Sequence, residues 1–124
     1  MTNFNWYPAT GVDVDSIVKM AVDHFQTEID LIFTPDPIAY ARNLTLAVVN
    51  QFYLPMTELL SVCKDDTGKL IAYTWAQSNQ RACWSDDNMV VIKMAHVDLT
   101  LPIKHRINIV NSMIKLWEGF AITA

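Results

Sequence analysis

The chain has 124 residues and a mass of 14.1 kDa, with 52% hydrophobic and 18% charged residues, 9 basic against 13 acidic groups, net charge −4 and pI near 5.1. That size predicts one domain over residues 1–124 and a core burying roughly two-thirds of the unfolded chain's surface. The apolar content excludes general disorder, and the acidic balance argues against a phosphate-neutralising nucleic-acid binder.

No apolar run approaches the roughly 18 residues that a membrane span requires. Met1-Thr2-Asn3-Phe4-Asn5-Trp6 lacks the basic and apolar regions of a signal peptide, so no membrane association is expected. The two cysteines, Cys63 and Cys83, imply no oxidising compartment, and a cytoplasmic α/β or α+β domain is expected.

Asn5–Ala9 reads as a short strand ending near Pro8. Asp13 or Asp15 is placed to cap a first helix, with Ile17, Val18, Ala21, Val22 and Phe25 on a helical spacing. Glu28–Phe33 is ambiguous, and Thr34-Pro35-Asp36-Pro37 breaks whatever precedes it. Asp36 with Pro37 then starts a second helix, whose stripe is Ile38, Ala41, Leu44, Ala47, Val48 and Phe52 and whose stop is Pro55.

Glu58–Lys64 reads as a strand, Asp65-Asp66-Thr67-Gly68 as a turn, and Leu70–Ser78 as the returning strand of a hairpin. Polar Asn79–Asn88 reads as a loop before Met89–Asp98, the longest strand candidate. After Pro102, Ile107, Val110, Met113, Ile114, Trp117, Phe120 and Ala121 recur every three or four residues across Lys104–Ala121 and predict a helix. Ala121–Ala124 is read as the stub of a further strand. The order is β-α-α-β-β-β-α with that stub, on a mixed, mostly antiparallel sheet.

This order resembles the GNAT family of acyl-CoA-dependent N-acyltransferases. In that family a long fourth strand runs through a turn into a helix whose N-terminus holds the cofactor's pyrophosphate. The matching segment is Val97-Asp98-Leu99-Thr100-Leu101-Pro102-Ile103-Lys104-His105-Arg106-Ile107-Asn108-Ile109-Val110. Unpaired N–H groups at a helix start bind anions, and adjacent cations add attraction. The resemblance implies acyl transfer from acetyl-CoA or another acyl-CoA to an amine acceptor. It implies that backbone groups around Leu99 and Leu101 pair with the pantetheine arm. By the same resemblance, amides from Lys104 through His105, Arg106 and Ile107 to Asn108 hold the pyrophosphate, and His96 or Asp98 serves as base.

Two departures stand out. The family signature, Gln/Arg-x-x-Gly-x-Gly/Ala, has its counterpart here in Arg106-Ile107-Asn108-Ile109-Val110-Asn111, without a glycine. Side chains there are expected to crowd a diphosphate, so coenzyme binding is expected to be weak or absent. The resemblance also covers nearly all of the chain but only about the first two-thirds of the family's domain, so the chain is read as C-terminally shortened. Reduced or absent activity follows, and a non-catalytic binding or assembly module is the alternative. An unrelated small α+β ligand-binding protein is the second alternative, since element order is weak evidence of function.

Each candidate residue also has a plain structural use. Lys104-His105-Arg106, the sole run of three potential cations, reads as a phosphate clamp or as a solvated helix start. His96 and Asp98 alternate with Val97 and share one strand face, either as a base pair for an amine or as an ordinary hydrogen-bonded pair. No metal site is expected, because His24 and His105 show no ligand spacing to them. An open edge along Met89–Asp98 and thin cover on the last helix predict a homodimer.

Overall fold

The computed structural model describes residues 4–28, 36–81 and 83–123. Four strands, β1 (Phe4–Pro8), β2 (Glu58–Asp65), β3 (Leu70–Arg81) and β4 (Asn88–Val97), form one sheet in the order β1-β2-β3-β4. The expected mixed, mostly antiparallel sheet is antiparallel at every pairing among the described residues. Three helices, α1 (Val14–Glu28), α2 (Pro37–Tyr53) and α3 (Ile103–Thr123), complete the order β-α-α-β-β-β-α.

The entry to α1 differs in detail from the expected aspartate cap. A short 3₁₀ turn, Gly11–Asp13, precedes the helix, and Thr10 occupies its cap position. Thr10 N donates to the Asp13 carboxylate at 2.9 Å, the return half of a capping box. Asp13 is buried and meets Lys64 Nζ of β2 at 2.9 Å, so it joins the helix start to the sheet. The side chain of Phe25 and most of Glu28–Phe33 lie outside the described residues.

α2 starts as the sequence predicts: Asp36 accepts from Ile38 N and Ala39 N, both at 3.1 Å, with Pro37 in the first turn. Its buried stripe is narrower than expected. Leu44 and Ala47 are fully enclosed, whereas Ile38 and Phe52 at the two ends face outward. Gln51 ties this helix to the sheet, donating to Leu60 O at 3.0 Å and accepting from Leu60 N at 2.7 Å.

The 65–68 turn closes as a hairpin, with Gly68 at φ 84°, a conformation that costs a Cβ-bearing residue strain. The segment read as a loop is shorter than expected. Asn79–Arg81 extends β3 and Asn88 opens β4, through the pairs Gln80↔Met89 and Arg81↔Asn88. Asn79 takes φ 59° where an extra residue in β3 is accommodated, a conformation asparagine tolerates. A second irregularity sits in β4: Trp75 faces Met94 and Ala76 faces Ile92, leaving Lys93 without a ladder partner.

Helices cover both faces of the sheet. α1 and α2 pack Ile17, Ala21, Leu44 and Ala47 against Leu60, Val62 and Tyr73. α3 packs Ile109 and Met113 against Cys63, Ile71 and Ala72 on the other face. Full burial of each such side chain contributes about 1.5–3 kcal/mol relative to exposure. The expected strand stub is helix instead: Ala121–Thr123 continue α3, because an already formed helix extends at little further cost.

Candidate functional site

The segment that carries the resemblance forms the corner between β4 and α3. Asp98 N donates to Ile71 O at 2.8 Å, which prolongs the sheet pairing by one residue. The Asp98 carboxylate then folds the turn by accepting from Thr100 N at 2.9 Å and Thr100 Oγ1 at 2.7 Å. Lys69 Nζ stands 3.7 Å from its other oxygen. Partial burial pushes this carboxyl up, but the Thr100 hydrogen bonds and the Lys69 ammonium outweigh it and hold the group below its ordinary value. Asp98 is thus a fixed anion and a turn former, poorly suited to accepting a proton.

Beyond the turn, Arg106 N donates to Pro102 O at 3.1 Å, the first hydrogen bond of the α3 ladder. The amides of Arg106, Ile107 and Asn108 are therefore spent inside the helix. Those of Ile103, Lys104 and His105 precede the ladder and point out of its end. The glycine-free stretch Arg106–Asn111 lies wholly within α3, so its side chains leave the helix laterally instead of crowding those three amides. The Arg106 side chain folds back toward the start of α3 and is engaged there, its Nε donating to Leu101 O at 3.1 Å. Lys104 is exposed, His105 is half-buried, and Leu101 packs into the α3 side of the core while Leu99 is exposed.

His96 stands on the face of β4 turned toward α1. Its Nδ1 is 2.6 Å from Tyr73 Oη, which lies 3.0 Å from Tyr40 Oη, and its ring stacks on His24 with centroids 4.3 Å apart. Burial, helped by the neighbouring His24, lowers the imidazole to about 4, so His96 is uncharged at neutral pH. Burial raises Tyr40 to about 12 and lifts Tyr73 further, so both phenols keep their protons. His24 itself places Nδ1 2.9 Å from Met20 O and Nε2 3.1 Å from Val97 O, linking α1 to the end of β4. A cleft of about 530 Å³ opens beside it, walled by Lys19, Asp23 and His24 of α1 and by Lys69, Asp98 and Leu99.

The partners of His96 had no signature in the sequence. Tyr73 is 23 positions away, and Tyr40 a further 33 from Tyr73. Only folding of α1 and α2 over one sheet face joins them. Cys63 is buried, with its thiol raised to about 12, which removes it as a nucleophile; Cys83 is exposed. Among the described residues no group of three or more His, Cys, Asp or Glu is placed to hold a metal, and no helix is long and apolar enough to cross a membrane.

No family model and no curated protein matches the sequence. Solved structures do match. A possible acetyltransferase from Clostridium difficile 630 superposes with a TM-score of 0.66 at 18% identity, over 90% of this chain and 68% of that one. The aminoglycoside 6'-N-acetyltransferase AAC(6')-Ih from Acinetobacter baumannii gives 0.68 at 14% identity, over 98% of this chain and 73% of that one. The chain has the GNAT fold. At such identities the GNAT likeness concerns architecture, and what each of those proteins acetylates belongs to that protein.

Proposed function

We propose that this GNAT-fold chain is an acyl-CoA-binding domain of the N-acyltransferase type, with the coenzyme's diphosphate at the first turn of α3. The observation that carries the reading is the corner itself. The Asp98–Thr100 turn presents the amides of Ile103, Lys104 and His105 beyond the hydrogen-bonded ladder, with exposed Lys104 beside them. When bound, an acyl-CoA supplies a thioester from which an amine could take the acyl group. The chain's own contribution is to orient it: the N–H groups of the first turn and the Lys104 ammonium hold negative charge, and Leu99 offers an apolar contact.

His96 is the better placed of the two candidate bases, since Asp98 is committed to its turn. It can take a proton at Nε2 only while Nδ1–H donates to Tyr73. A base lowered to about 4 is a weak one at neutral pH, and this favours the second reading, a GNAT-fold module that binds without catalysing.

Isothermal titration calorimetry with acetyl-CoA tests the proposal. Micromolar binding is expected, with Lys104→Ala weakening it roughly twofold to fivefold and the loss shrinking at high salt. Absence of binding to the folded protein overturns it.

A further inference from the structure

α3 is apolar over more of its circumference than the sheet covers. Ile109, Met113 and Phe120 form the buried face. A second row, Ile103, Ile107, Val110 and Ile114, is exposed by 66%, 54%, 40% and 40% of its surface. It follows a 4-3-4 spacing that half-buried Trp117 and exposed Ala121 continue, and it lies roughly 130° around the helix from Ile109. That is the seam of a heptad repeat laid beside the core-facing stripe.

The direction of the seam is fixed by two hydrogen bonds. Ser112, on one flank of the buried face, accepts from Trp6 Nε1 of β1 at 2.8 Å. Trp117, on the other flank, donates to Thr74 Oγ1 of β3 at 2.8 Å. The exposed row continues past Trp117, so it lies on the β4 side of α3. β4 is there the outer strand of the described sheet, and unladdered Lys93 blunts its edge. The helix, not the strand, offers the apolar surface.

We propose that a second copy of this chain covers the row, the two α3 helices packing antiparallel about a two-fold axis. The charges alongside the seam select this partner and this direction. Lys104, Asn111 and Glu118 are all exposed, fall seven residues apart, and flank the seam on the side away from the core. In an antiparallel pair centred on Asn111, Lys104 of each chain meets Glu118 of the other. The two Asn111 amides meet at the axis, where each can donate to and accept from its mate. The apolar pairs Ile107–Trp117, Val110–Ile114 and Ile103–Ala121 centre on the level of Ser112, the next residue along the helix, so the two seams interleave across the interface while the flanking pairs meet about Asn111. A parallel pair in register sets Lys104 against Lys104 and Glu118 against Glu118, a like-charge arrangement. The proposal does not rest on coenzyme binding: the α3 amides point along the helix axis while the seam faces sideways, Lys104 is the one side chain the two readings share, and the test is made without coenzyme.

Sedimentation equilibrium at micromolar concentration tests it, with circular dichroism to confirm folding. The wild-type chain should sediment at twice its 14.1 kDa mass. Ile114→Glu should sediment as a folded monomer. Glu118→Lys, at an exposed site, should weaken association roughly fivefold, and the double exchange Lys104→Glu with Glu118→Lys should restore it. Should Ile114→Glu fail to fold, the Glu118 variant and its exchange partner decide. A wild-type monomer overturns the proposal. So does a dimer that neither substitution affects.

Discussion

Asp13 illustrates how one side chain joins a local signal to the tertiary structure. Its carboxylate closes the turn on Thr10 and reaches Lys64 of β2, so the start of α1 and the sheet share a single charge. Burial raises this carboxyl, but the Lys64 and Thr10 interactions outweigh it, and the net value lies below the ordinary one. A folded-state value below the unfolded one stabilises the protein above the usual carboxylate range. The contribution fades as pH falls through that range toward the folded-state value. Asp13→Asn should therefore cost about 2 kcal/mol at neutral pH, and the gap to wild type should narrow below about pH 4. Urea denaturation at neutral pH and again in acid measures both. An unchanged gap in acid would mean that the loss comes from packing and not from charge.

At the scale of elements, what was legible depended on how local the signal was. The Asp36-Pro37 start of α2, the 65–68 turn and the recurring apolar positions of α3 are short-range patterns, and each appears in the fold where the residues place it. Gly68 is the clearest case. A Cβ added there meets nothing within 4 Å, so the φ of 84° is the whole cost of substitution. Gly68→Ala should lower stability by about 1 kcal/mol without altering the fold, measured as a shift in the urea midpoint. Asn79–Arg81 was hidden because polar residues carry no apolar alternation, yet backbone pairing with Met89 and Asn88 suffices to extend β3. Ala121–Thr123 is helix where the sequence suggests a strand stub, because so short a stretch fits either state and the preceding helix decides. The surroundings of His96 were illegible for a third reason. Tyr73, Tyr40 and His24 reach it from β3, α2 and α1, so no spacing along the chain foreshadows the array.

For the whole molecule, the sheet with helices on both faces determines which residues can work together. α1 and α2 enclose the His96 array on one side. α3, on the other side, leaves its first turn and its β4-side flank exposed. The resemblance first drawn from element order is met by the GNAT fold of the two acetyltransferase structures. The glycine-free stretch changes meaning once its place is known. It lies inside α3, and the amides left outside the helix ladder belong to the preceding residues, Ile103–His105. The most direct test of this account is a titration of the ¹⁵N-labelled protein with acetyl-CoA, followed by amide chemical shifts. The account predicts that the changes concentrate on Leu99–His105, and on Ile103, Lys104 and His105 above all. Changes confined to Arg106–Asn111 or to the α1 cleft, or none at all, would contradict it.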